Sequence, residues 1–311
     1  MLQRISSAYN WRWRVLKHNA IKLQWSLKKK LGFSDKEGIN SLSIVVVGRN
    51  DNYGGDFSLR LKTTFDWNLS LFPNAELIYV EWNPIKENES DCHWITEAYP
   101  NAKCFIVPNE IHKTLITTKN FPILEYFAKN VGIRKASGDW IILVNADVLI
   151  GPDFIQDKVN SDTVYGTHYN NIQWNNKPIQ KEYLEDKKNI LRFFPANSKL
   201  ESVVGNLIMT HKKNWLKMTG YDETLSDVRN GVDTNGLKQL LHQSLRTMAI
   251  GNHYHLDHPE SVSNGANATH GDQSRINEIS AGSNIPYKNP DNWGLNNYSF
   301  EEISPRIWKT K

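Results

Sequence analysis

Residues 42–47 read LSIVVV, an unbroken apolar and β-branched run, which is the pattern of a strand buried on both faces. Gly48 and a polar stretch to Gly55 close it. The period then changes. Leu59, Thr63, Trp67 and Leu71 recur on one side of 57–71, which predicts a helix. Apolar runs return at 76–81 (ELIYVE) and 103–107 (KCFIV) and predict a second and a third strand. A helix fits 121–136, and 140–144 (WIILV) predicts a fourth strand, the most apolar of all. Leu237, Leu240, Leu241, Leu245 and Met248 share one face of a predicted helix over 233–248.

Strands that alternate with helices imply an α/β fold with a parallel sheet and right-handed crossovers. Ligands of such sheets bind beyond the carboxyl ends of the strands. Candidate chemistry therefore sits just after each run. Arg49, Asn50 and Asp51 follow the first strand, Glu81 and Asn83 close the second, and Asn145 and Asp147 follow the fourth. A single loop Asp or Asn usually makes a local turn bond. Convergence at three strand ends is a stronger sign of a site.

Charge separates the arm from the body. Residues 1–40 carry nine Lys or Arg against Asp35 and Glu37, whereas the 311-residue chain is only +4, so the remainder is slightly acidic. Trp11, Trp13 and Trp25 accompany the run Lys28–Lys30. That composition suits a helix lying on a membrane surface, and equally a helix packed on the body with a solvated basic face. No nucleic-acid recognition motif accompanies the charge, so no nucleic-acid partner is expected. Two cysteines, Cys92 and Cys104, form neither a disulfide framework nor a CxxC pair, and a cytoplasmic location is expected. The N-terminus lacks an apolar signal-peptide core, and no run of about 20 apolar residues is present. No GxGxxG or P-loop pattern occurs, which disfavours dinucleotide or ATP chemistry.

The stretch 130–154, NVGIRKASGDWIILVNADVLIGPDF, resembles the central segment of family 2-type GT-A glycosyltransferases. Asn130, Gly132, Ala136, Gly138, Asp139, Asp147, Pro152, Asp153 and Phe154 carry the match. Residues 205–225, GNLIMTHKKNWLKMTGYDETL, resemble a later segment of the same family. The resemblance implies a GT-A fold over 41–260, with a nucleotide-binding half to 147 and an acceptor and metal half from 148. Residues 1–40 are then a basic arm, and 261–311 an irregular tail folded over the active site.

It also implies an activity: transfer of a sugar from a nucleoside diphosphate sugar, UDP-linked by preference, to a hydroxyl of a glycan or lipid-linked acceptor. Arg49, Asp51, Glu81, Asn130, Arg134, Asn145 and Asp147 are the implied nucleotide-sugar contacts. One position departs from the family. Its Asp-x-Asp is Asn145-Ala146-Asp147 here, so Asp147 is the one carboxylate left to hold Mn²⁺ or Mg²⁺. A further ligand is expected from 253–258, HYHLDH, with His255 and His258 the candidates. Asp233, at the start of its helix, is the candidate general base or an N-cap, with Asp222 as an alternative and Asp227 a third. HYHLDH also fits the HxHxDH of zinc hydrolases of the metallo-β-lactamase fold, although Pro259 and the short remainder suit that fold poorly. A third reading, prompted by Asn145, is an inactive GT-A domain that binds nucleotide or glycan.

Overall fold

The computed structural model describes residues 39, 41–116, 121–154, 159–197, 200, 205–226, 231–259 and 287–311. The basic arm apart from Ile39, Asp227 and all of 261–286 lie outside the described residues. No helix among the described residues is long and apolar enough to cross a membrane.

The chain begins as the hydrophobic pattern predicts. Strand β1 (Leu42–Gly48) leads to helix α1 (Phe57–Leu71), β2 (Glu76–Trp82), α2 (Asp91–Ala98) and β3 (Ala102–Val107). Helices α3 (Asn109–Leu115) and α4 (Glu125–Lys135) precede β4 (Trp140–Val144). The strands β3, β2, β1 and β4 lie side by side and parallel. Every residue of β1 and β4 is buried. Burying a Val, Ile or Leu side chain contributes about 1.5–3 kcal/mol, so these two strands anchor the sheet. Gly132 lets α4 approach β1, because a Cβ there would come within 2.3 Å of Val45 Cγ1.

The second half extends the sheet with mixed pairing. It contains β5 (Val148–Ile150), β6 (Thr163–Ile172), α5 (Lys181–Glu185), β7 (Ile190–Phe194), β8 (Leu207–His211), α6 (Lys212–Met218), α7 (Val232–Leu241) and β9 (Arg246–Leu256). β8 runs antiparallel to β4, β9 runs parallel to β6, and β7 pairs antiparallel with the end of β6. Short β5 forms an edge antiparallel to β9. Helix α1 secures that edge. Asn68 binds the Val148 carbonyl and the Ile150 N–H, and Trp67 Nε1 donates to the Ile150 carbonyl. Asp153 accepts from both the backbone and the side chain of Asn252, which ties the turn after β5 to β9.

Two expectations need correction. The helix predicted over 233–248 stops at Leu241. Ser244 turns the chain with a positive φ of 63°, and from Arg246 the backbone pairs with β6 instead. The antiparallel strands β6 and β7 are joined by a connection that runs through α5. The tail is not irregular throughout. Strands β10 (Phe300–Ser304) and β11 (Ile307–Thr310) add to the sheet beside β3, where Trp308 stacks on Phe105 at 5.1 Å. Residues 289–294 pack on Arg134 of α4 and on Glu223.

Candidate functional site

Two chain segments meet where β4 ends. Asp147 lies in the turn between β4 and β5, and β9 passes on the other side of β5. The register sets His255 opposite Val148, and the Asp147 carbonyl accepts from Leu256 N at 2.9 Å. The chain then turns so that His258 returns to the same carboxylate. His258 Nε2 is 3.2 Å and His255 Nε2 3.5 Å from Asp147 Oδ2. All three residues are buried, and one ligand atom from each lies within 4.8 Å of the others. Burial pushes the Asp147 carboxyl up, but the His255 and His258 imidazoles outweigh it and hold the group well below the usual range.

The surrounding residues orient this triad. His255 Nδ1 pairs with Asn171 Oδ1 at 2.9 Å, and Asn171 Nδ2 donates to Asp257 Oδ1 at 2.7 Å. The pairing with Asn171 makes Nδ1 a donor and turns Nε2 toward Asp147. On the other flank, the loop after β1 closes on His258. The Tyr53 ring meets the His258 imidazole edge-on at 5.4 Å. Gly54 has a positive φ of 66°, and a Cβ there would fall 2.5 Å from His258 Nδ1. Buried Arg60 holds the loop by donating to the carbonyls of Tyr53, Gly54 and Gly55.

His253 stays outside the triad. It is fully buried, bonded through Nδ1 to the Thr167 hydroxyl, and burial lowers its pKa to about 3. Asp257 is bonded to Asn171. HYHLDH therefore does not act as one zinc-ligand run, since two of its four polar members face other partners.

Asn145 accepts from Lys129 Nζ at 3.2 Å. Lys129 is buried on α4 and pairs with Glu125 at 2.6 Å. Asp233 lies in the first turn of α7 near that ammonium, with its carboxyl raised by burial against the opposing Thr234 N–H and Lys129. It is not the N-cap, because Gly231 occupies that position. Lys129 and Asn171 were not singled out from the sequence. The signal for Lys129 was a lone cation between Tyr126 and Ile133, a stretch of α4 whose other polar side chain is Asn130.

The other predicted contacts have structural partners. Arg49 pairs with Asp51 at 2.9 Å and donates to the Asn83 carbonyl at 2.7 Å, so both remain beside the loop that carries Tyr53. Glu81 is fully buried and accepts from Ser90 Oγ and Asp91 N at the start of α2. Asn130 clamps Tyr221 and Glu223. Arg134 lies over the Trp293 ring at 4.1 Å. Asp222 accepts from Thr224 in a local turn.

Glu81 gives a testable pH dependence. Burial raises its carboxyl from 4.5 to about 7. The folded state then holds the proton more tightly than the unfolded state. Its contribution is complete below about pH 4.5 and is lost as pH rises through about 7, on the order of 3 kcal/mol in all. Urea titrations should show wild-type stability falling from pH 5 to 8 and Glu81→Gln losing that slope. An unchanged slope in the variant would contradict this assignment.

No protein-family model matches the chain, and no curated protein does. Solved structures do. One is GalNAc-T7 with UDP, GalNAc and Mn²⁺, at 12% identity and a TM-score of 0.48, over 80% of this chain and 56% of that one. This chain thus spans little more than half of that protein. A second is the mannosyltransferase PcManGT from Pyrobaculum calidifontis with GDP-Man and Mn²⁺, at 14% identity and 0.45, over 89% and 79%. A third is TarS of S. aureus, at 12% identity and 0.40, over 78% and 42%. Likeness at these scores carries no argument about function, which is read from the site itself.

Proposed function

We propose that the protein is a metal-dependent glycosyltransferase that uses a nucleoside diphosphate sugar, with UDP favoured as the nucleotide. The observation that supports this most is the triad of Asp147, His255 and His258 at the carboxyl end of β4. One carboxylate and two imidazoles converged on one point suit a divalent cation such as Mn²⁺. When bound there, the metal supplies Lewis-acid stabilisation of the charge that develops on the departing diphosphate.

The chain's own residues account for the rest of the reaction. Arg49 and Asp51 lie in the loop that also closes on His258, so the nucleotide is held on that flank. Lys129 places a buried positive charge against Asn145, where a second carboxylate would otherwise stand. With Asn in place of Asp, a diphosphate meets less negative charge. Asp233 takes the proton from the acceptor hydroxyl as its oxygen attacks the anomeric carbon, in an inverting displacement. The acceptor is a glycan or lipid-linked hydroxyl. The basic, Trp-rich composition of residues 1–32 supports attachment to the cytoplasmic membrane surface.

The test is nucleotide release. The full chain, incubated with UDP- and GDP-sugars, should release UDP in the presence of Mn²⁺ and stop with EDTA. No affinity for any nucleoside diphosphate, together with stoichiometric zinc in the purified protein, would point instead to a hydrolase. Nucleotide binding without turnover would point to an inactive binding domain.

A further inference from the structure

The row of side chains that begins at His255 does not end at Asn171. In the register of the sheet, His255 faces Asn171 across β9 and β6, and Asn171 faces Arg192 across β6 and β7. The next row sets His253, Tyr169 and Phe194 in line. Paired residues in neighbouring strands point to the same face, so Arg192 and Phe194 stand on the face that carries His255. The ring contacts agree. The Tyr169 ring is 5.9 Å from His255 and 5.4 Å from Phe194, and the Arg192 guanidinium lies 5.7 Å from the Phe194 ring centre.

Phe194 is 39% exposed, so its ring is open to solvent. Arg192 makes no hydrogen bond or ion pair among the described residues. We propose that Arg192 and Phe194 form an acceptor subsite for an acidic sugar, with the ring lying on Phe194 and its carboxylate or phosphate on the guanidinium. This rests on the glycosyltransferase reading.

The side of approach follows from the two flanks of the triad. The loop after β1 occupies the His258 flank, with Tyr53 and Gly54 against the ring, and that flank belongs to the nucleotide. The His255 flank leads to β7. Two strand spacings put Arg192 about 10 Å from His255 along the sheet, which places the guanidinium on the His255 side of the triad. An aromatic face provides area at little entropic cost, and a guanidinium fork matches a carboxylate or phosphate. The alternative role for Arg192 is only to blunt an edge strand. That role predicts no ligand preference.

Saturation-transfer NMR on the full chain with Mg²⁺ and UDP separates the two. Glucuronate, glucose 6-phosphate and glucose are the probes. At least one acidic sugar should bind about tenfold tighter than glucose, and the stronger of the two identifies the group recognised. Arg192→Gln should remove that preference, and Phe194→Ala should weaken all three, with UDP affinity unchanged in both variants. Equal binding of acidic and neutral sugars, or a preference that survives Arg192→Gln, would overturn the subsite. UDP binding in the same samples reports separately on the glycosyltransferase reading.

Discussion

Asp147→Ala should abolish metal-dependent binding of a nucleoside diphosphate and lower turnover by at least about 10²–10³-fold, since Lewis-acid stabilisation is worth several kcal/mol. Among the described residues, both His255 and His258 approach the Asp147 carboxylate, and the triad has no second carboxylate to replace its charge. His255→Ala and His258→Ala should act in the same direction. Asn171→Ala should act more weakly, by about 10–100-fold in metal affinity, because it only orients His255. Circular dichroism should show each variant folded. Turnover that survives Asp147→Ala in a folded protein would remove the metal from the account.

Asp233→Asn is the second large effect. It should lower kcat by about 10²–10⁴-fold while nucleotide affinity stays the same. The variant keeps the size of the side chain and an oxygen for the Thr234 N–H, so packing in the first turn of α7 survives. What is lost is the basic form. Burial raises the Asp233 carboxyl above its ordinary value, so wild-type kcat should fall on the acid side above the usual Asp range, and the variant should lack that limb. A purely structural Asp233 predicts the reverse: kcat within a few-fold of wild type and a lower melting temperature.

The sheet and the triad were largely legible in the sequence. β1 and β4 are unbroken runs of β-branched and apolar residues, and a parallel sheet puts chemistry just beyond them. That reasoning led to Asp147. The resemblance offered His255 and His258 as partners of Asp147, and both imidazoles approach its carboxylate. The start of β9 was not legible. Leu237 to Met248 keeps helical spacing, but pairing with β6 outweighs local periodicity once Ser244 turns the chain. Asn130, Glu81 and Arg134 show a different limit. Amides, carboxylates and guanidinium groups serve ligands and backbone groups equally well, and only the folded chain shows Glu81 at the start of α2 and Arg134 against Trp293. Lys129 is the converse case. No motif in the sequence marks it, yet it is buried against Asn145.

The central claim is that Asp147, His255 and His258 hold a divalent cation beside a nucleoside diphosphate. Crystals soaked with Mn²⁺ and UDP, measured at the manganese absorption edge, test it most directly. The account predicts one anomalous peak among Asp147 Oδ2, His255 Nε2 and His258 Nε2, with the diphosphate in contact with it. A peak elsewhere, or bound UDP with no metal at the triad, would contradict it.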